Sequence, residues 1–528
     1  IARSGGLGTS TALRIRGLSG PYIGVRIDGI DVADPSGTQC LYDFGSTTSG
    51  GISRIEVLRG SQSALFGSEA IGGVVDITTF RATEEGTEAQ ISVEAGSQAT
   101  YSGTASVAVK TERAELAFSA SRIVTDGISA SATGTEEDGF RATTLSFYGA
   151  HDVTDAVTIG LNGFARDSFS EFDSPPADDG QTEEGKLRGI RAFAVAETGA
   201  VSHELSFAHT DTERFYPIGF TRLFTGDRDQ FAYKGKWDAS EQVSLNWGLD
   251  HTEETFTADA VTASARTSSA LAELLYAPSD ALDLSLALRY DDHSTFGGQM
   301  SGRLAMAWRP ADDWVIRAVA GSGFRAPSLY ELFGPYGNTA LQPEESRSLE
   351  LGAEYLLANG GSLMVTLFDT EIDNKIQWAG GSYNQVPGTT STRGVEITAS
   401  TMIAEGWEVF GNYTYTDAVD VTAAGAKSPA LRVPRHDLVL GIEGQITDRL
   451  AGTLTAQHVT DVWDVNAWPL PSSKLSDYTI ANLAVAYEIN ETTSAYLRIE
   501  NLFDERYQTL RGYGQPGRSV FVGLQAKF

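Results

Sequence analysis

From about residue 88 to the last residue, the chain repeats one unit: a short run of alternating apolar and polar residues, then a turn. Near the C-terminus Ala481, Leu483, Val485, Tyr487 and Ile489 share one parity, with Asn482, Ala484, Ala486 and Glu488 on the other. The next run repeats the pattern with Ala495, Leu497 and Ile499 against Ser494, Tyr496, Arg498 and Glu500. Successive β-strand side chains point to opposite faces, so each run describes a strand with one oily and one wet side. A soluble sandwich turns the oily side to a core. A membrane barrel turns it to lipid and lines its lumen with the other.

The turns discriminate between the two. Parity counting gives about 22 strands after residue 88. Connections after even-numbered strands are short, as at Asp152-Val153-Thr154, Ser240-Glu241, Pro278-Ser279 and Asn490-Glu491. Connections after most odd-numbered strands are long, covering about 126–141, 171–186, 214–228, 323–344, 420–435, 463–477 and 502–516. A sandwich has no reason to sort loops by parity. An outer-membrane barrel does, with short turns on one rim and long loops on the other. The final strand agrees: Val520, Val522, Leu524, Ala526 and Phe528 form its oily face. The expected fold class is therefore an all-β membrane protein, a transmembrane antiparallel β-barrel of about 22 strands, over residues 83–528.

Residues 1–82 break the pattern. They carry Gly-rich turns, short β runs at Tyr22–Ile27, Ile52–Leu58 and Gly73–Thr78, and a helical-looking piece around Ser61–Phe66. A barrel of that size has a lumen too wide for side chains to fill, so this α+β segment suits an internal plug. Charge excludes one function class. With 39 Lys+Arg against 69 Asp+Glu, a net of −30, the chain lacks the basic footprint of a nucleic-acid binder. No run of about 18 apolar residues exists to form a transmembrane helix. A single cysteine, Cys40, precludes an internal disulfide. The chain opens at Ile1 with no initiator Met, so a processed or trimmed N-terminus is expected.

Enzyme motifs fail on context. Gly512-Tyr513-Gly514-Gln515-Pro516-Gly517 has dinucleotide-loop spacing but leads into a strand. Gly180–Lys186 has phosphate-loop spacing, yet Leu187 stands where Ser or Thr is needed. There is no HExxH and no GxSxG, and the histidines lack metal spacing. No catalytic site is expected.

Specific stretches resemble the TonB-dependent outer-membrane transporters, with the cobalamin receptors the nearest branch. In the plug these are Ile15-Arg16-Gly17, Ile27-Asp28-Gly29, Arg54 through Gly60, and Ser63 through Ile77. In the barrel they are Phe324 through Leu332, Leu341 through Ser346, Asn501 through Tyr507, and Gly512 through Arg518. The resemblance implies active import of a scarce bulky nutrient across the bacterial outer membrane, with cobalamin or a related corrinoid first and a ferric siderophore second. A receptor or adhesin that binds without transport is the reading from another class. Long loops would be extracellular, and short turns and both termini periplasmic. The partners implied are the TonB-ExbB-ExbD complex, engaged through a Ton box upstream of Ile1, together with outer-membrane lipid and lipopolysaccharide.

Residue roles follow from that resemblance. Arg14, Arg16, Glu56 and Arg59 would form plug–barrel ion pairs that rearrange during passage, against static packing as the plainer reading. Ser19, Gly20, Pro21 and Tyr22, with Asp34, Ser36, Gln39 and Tyr42, would lie beneath the ligand on outward plug loops. Arg432 and Trp468 would contact it from barrel loops, with Arg435 and Trp463 beside them. The loop 171–186 holds six carboxylates, and Asp173, Asp178, Asp179, Glu183 and Glu184 would ligate calcium. A solvated acidic loop is the alternative. No covalent cofactor is expected.

Overall fold

The computed structural model describes residues 1–466 and 470–528. Among these, 22 long antiparallel strands and the short segment Lys427–Pro429 close into a barrel. Closure is made by the first strand, Gly86–Gly96, which pairs with Thr100–Lys110 on one side and with Ser519–Lys527 on the other. The backbone of Phe528 completes the seam with Ala89, at 2.8 and 2.9 Å. The alternation sorts as expected: Leu116 and Phe118 are exposed outward, while Ala117 and Ser119, alternating with them, are buried inward. Trp237, Tyr276, Trp308, Trp314 and Tyr487 stand exposed near the short-turn rim, where amphipathic rings suit the membrane interface.

The strands differ from expectation in height. The strands Val157–Phe172 and Gln181–Thr198 run on through much of the stretch read as a loop over 171–186, leaving only 173–180 as the connection. Val243–Ala258 and Val261–Ser279 meet at a two-residue turn on the same rim. The reason is physical. Above the hydrocarbon both faces of a strand meet water, so the alternation that marks a strand disappears while the ladder continues.

The N-terminal segment sits in the lumen around a four-stranded sheet: β1 (Ile23–Ile27), β2 (Ile30–Asp31), β3 (Ile52–Arg59) and β4 (Gly73–Thr79), in the order β2-β1-β4-β3. The one-turn helix α1 (Ser63–Phe66) connects β3 to β4. Asp28 and Gly29, both at positive φ, make the tight β1–β2 turn. The Asp28 carboxylate then accepts from the Thr79 amide and hydroxyl at 3.0 and 2.6 Å and pairs with Arg81 at 2.8 Å. The plug core is shared with the wall. Ile23, Val25, Ile30, Val75 and Ile77 pack with Phe164, Leu187 and Ala208 of the barrel. β3 is an edge strand whose Ile55, Val57 and Leu58 stay exposed.

Candidate functional site

Four groups of side chains connect plug, wall and long loops. The first is ionic. Arg16 and Gly17, at φ 51 and 84, form a turn that presses against the wall. A Cβ on Gly17 would meet Thr416 and Thr392 at 3.2 and 3.3 Å. This places the Arg16 guanidinium 2.7 Å from Glu350 and 2.9 Å from Glu396, with Phe368 5.1 Å beneath it. Arg59 reaches the same Glu396 at 3.4 Å. Two of the four expected coupling charges thus converge on one pair of wall carboxylates. Glu56 does not join them: it is exposed on β3 and pairs with Arg54 at 2.5 Å. Neighbouring β3 side chains alternate faces, so Arg54 and Glu56 lie on the face opposite Arg59. Arg14 has no carboxylate partner among the described residues. Burial and the nearby Arg432 hold its guanidinium down to about 10.

A second cluster lies on another sector of the wall. Arg228 pairs with Asp31 of the plug and with Glu254 of the barrel. Arg289 pairs with Asp250 at 3.0 Å and with Asp291 at 2.8 Å. These groups line a polar cavity of about 100 Å³ that also receives Arg26, Cys40 and Glu69 from the plug. Desolvation pushes the Glu69 carboxyl up to about 8.

The third group was legible only as a motif. Arg325, 1% exposed, is held by Glu331 at 3.0 Å and Glu344 at 2.9 Å, each equally buried. Glu331 belongs to the helix α2 (Leu329–Phe333), which Ser328 opens with a capping box. The same loop grips the plug: the Ser328 hydroxyl donates to the Thr38 carbonyl at 3.2 Å, and the Ala326 amide donates to Ser68 at 3.0 Å. The two barrel stretches Phe324–Leu332 and Leu341–Ser346 are thus two halves of one buried clamp.

The fourth group escaped sequence reading because its members come from three loops. Phe220, 81% exposed, stacks on Tyr336 at 6.1 Å, and Tyr336 meets Trp378 at 5.1 Å. The series continues through Tyr383 at 5.3 Å and Tyr330 at 6.2 Å to Phe224 and Phe256. It runs from an open loop tip to the helix that touches the plug.

The expected ligand residues are mostly sealed. Gly20, Pro21, Tyr22, Ser36 and Tyr42 are buried, so direct contact from their side chains requires the plug or loops to move. Tyr22 lies under Arg325. Tyr42 bonds Thr47 at 2.7 Å and accepts from Arg166 at 2.8 Å. Asp34 accepts from Arg214 and Ser36 at 2.8 and 2.6 Å. Ser19 and Gln39 are half-buried. Arg432 binds Asp464 at 2.8 Å. Arg435 binds Asp417 at 2.8 Å, and Trp463 pairs with Lys474 in a short ladder. Trp468 falls outside the described residues.

The acidic group also differs from expectation. Asp173 and Asp178 approach Glu136, their carboxylate oxygens lying within 4.8 Å of one another. Asp179 lies beside them and donates its amide to Asp173 at 3.0 Å. Glu183 and Glu184 lie in a strand, on opposite faces, and cannot serve one site together. Glu183 accepts instead from Tyr216 at 2.6 Å. Burial raises the nearby Asp138 carboxyl to about 7.

Comparison with known proteins follows this architecture. Residues 91–502 match the family model "TonB dependent receptor-like, beta-barrel". The chain belongs to the TonB-dependent receptor family. In this receptor, residues 1–74 also match the TonB-dependent receptor plug domain. Its relatives include the vitamin B12 transporter BtuB of Vibrio cholerae, 26% identical over 100% of this chain and 88% of the relative. The BtuB of Photobacterium profundum is 27% identical over 99% and 87%. Among solved structures, the siderophore receptor PirA from Acinetobacter baumannii superposes with a TM-score of 0.85 at 17% identity, covering 100% of this chain and 93% of that one. A point mutant of the ferric enterobactin receptor PfeA from Pseudomonas aeruginosa, in complex with enterobactin, gives 0.82 at 18% identity, over 100% and 95%. The receptor is a TonB-dependent transporter of the bacterial outer membrane, not an enzyme. It draws on TonB for energy.

Proposed function

We propose that this receptor imports cobalamin or a related corrinoid, taken up by the long loops on the outer side and released to a periplasm that holds the short turns and both termini. The aromatic series from Phe220 to Tyr330 carries the reading. One stacked pair followed by edge-to-face rings offers a continuous aromatic surface to a bulky ligand and leads it towards the plug. The full-length similarity to vitamin B12 transporters supports the same substrate. Energy reaches the plug from the TonB-ExbB-ExbD complex, and the outer wall meets lipid and lipopolysaccharide. Calcium, if the loops are ordered by it, is held by Glu136, Asp173 and Asp178. A ferric siderophore is the second reading, favoured by Arg14 and Arg432 sharing the single carboxylate of Asp464.

Binding of cyanocobalamin and of a ferric-siderophore panel to the purified receptor tests the choice. Sub-micromolar corrinoid binding, weakened by Trp378→Ala or Tyr336→Ala, is expected. Siderophore binding with no corrinoid binding overturns the substrate. Calcium titration monitored by loop proteolysis tests the metal, and an unchanged cleavage pattern removes it.

A further inference from the structure

Arg14 of the plug and Arg432 of a barrel loop both lie near one carboxylate, Asp464. Asp464 is fully buried. It accepts from Arg432 Nε at 2.8 Å and from the amides of Val465 and Arg511 at 2.8 and 2.7 Å. Arg511 spends its Nη2 on Ser473 and on the Lys474 carbonyl, at 2.9 Å each, while its Nε is sealed without an acceptor. Arg14 arrives from the plug, where its backbone pairs with that of Ser19. Among the described residues it has neither a hydrogen-bond acceptor nor a carboxylate within salt-bridge reach, and its Nε is likewise sealed. The neighbouring Lys474 is already taken by Asp461.

One negative charge therefore faces two positive ones, in a chain whose net charge is −30. Guanidinium donors shut away from water with no acceptor are costly, and an incoming anion removes that cost. Arg432 keeps 37% of its side chain exposed and supplies the opening. It does so from a left-handed backbone, at φ 62, which aims it at Asp464. We propose that Arg14 and Arg432 form a recess for an oxyanion displayed by the cargo. The planar donor forks of arginine match a phosphodiester or the anionic oxygens of a ferric chelate equally well. The assignment rests on the import reading above, and it adds that the cargo carries negative charge to a fixed place.

Two measurements keep the readings apart. The first uses inorganic pyrophosphate and the full receptor in detergent. Pyrophosphate is expected to raise the thermal midpoint of the wild type but not of Arg14→Gln or Arg432→Gln, with Arg393→Gln as an exposed control that behaves like wild type. No protection of the wild type, or equal protection of all variants, overturns the recess whatever the cargo. The second compares cyanocobalamin with cobinamide, which lacks the phosphodiester, and ferric enterobactin with a neutral ferric hydroxamate. Arg14→Gln is expected to weaken the charged member of the pair that binds by about thirtyfold, the loss typical of one charge-assisted hydrogen bond, and to leave the neutral member unchanged. Equal weakening of both members assigns the arginines a purely structural role and overturns the proposal. If none of the four binds wild type while pyrophosphate still protects it, the import reading fails and the recess stands.

Discussion

Arg325 places a full charge where no water reaches, and it is tolerable there only because two carboxylates bracket it. Removing the arginine leaves Glu331 and Glu344 buried against each other. Arg325→Ala is therefore expected to cost about 3–5 kcal/mol, read as a lowered thermal midpoint of the detergent-solubilised receptor. Arg59 is a different kind of charge, half-exposed and 3.4 Å from Glu396. Arg59→Ala is expected to leave ligand binding at the surface intact and to reduce uptake in cells with matched receptor levels; unchanged uptake removes Arg59 from the coupling set. Glu69 gives a pH signature. Its carboxyl, raised to about 8 by burial, binds a proton more tightly folded than unfolded, where it titrates near 4.5. Stability is thus highest below that lower value and falls as pH rises towards 8. Glu69→Gln is expected to flatten this slope, so that its thermal midpoint exceeds that of wild type by a margin that grows from pH 5 to pH 8.

The clamp around α2 shows what one short element can do. Its capping box orders the start of the loop 326–343, and Ser328 serves twice, capping α2 and holding Thr38 of the plug. Ser328→Ala is expected to cost about 1 kcal/mol of local stability, visible as faster amide exchange over α2 and over residues 36–40 together. Exchange confined to α2 would separate cap from clamp. At this scale the sequence was readable where each strand kept one oily side, as in Leu282–His293, and unreadable where both sides were wet. Glu183 and Glu184 illustrate the failure: adjacent acids look like loop chemistry, yet they stand on a ladder that outgrows the membrane. The turn residues Asp28 and Gly29 and the charges Arg16 and Arg59 were visible as motif members. Their partners Glu350 and Glu396 were not, because a contact across some 300 residues leaves no local pattern. The aromatic series was hidden for the same reason.

For the molecule as a whole, closure is the condition of stability. Among the described residues every long wall strand has two neighbours, which leaves no ladder edge facing hydrocarbon. Deleting Ser519–Phe528 unpairs Gly86–Gly96 and is expected to abolish the heat-modifiable compact band of the folded barrel on gels; survival of that band would show another strand able to close the ring. Loop sorting conveyed the barrel from sequence alone, since topology writes itself into connection lengths. What the plug touches was beyond that reach. Beside the apolar patch at Phe164 and Leu187, plug and wall meet through ion pairs, and these have a mechanical meaning. An oily interface resists separation until it gives way at once, whereas each guanidinium–carboxylate contact between plug and wall can exchange its partner for a water molecule one at a time. A pull from the inner membrane would then meet a series of small steps, and hydration would act as the lubricant along which the plug slides.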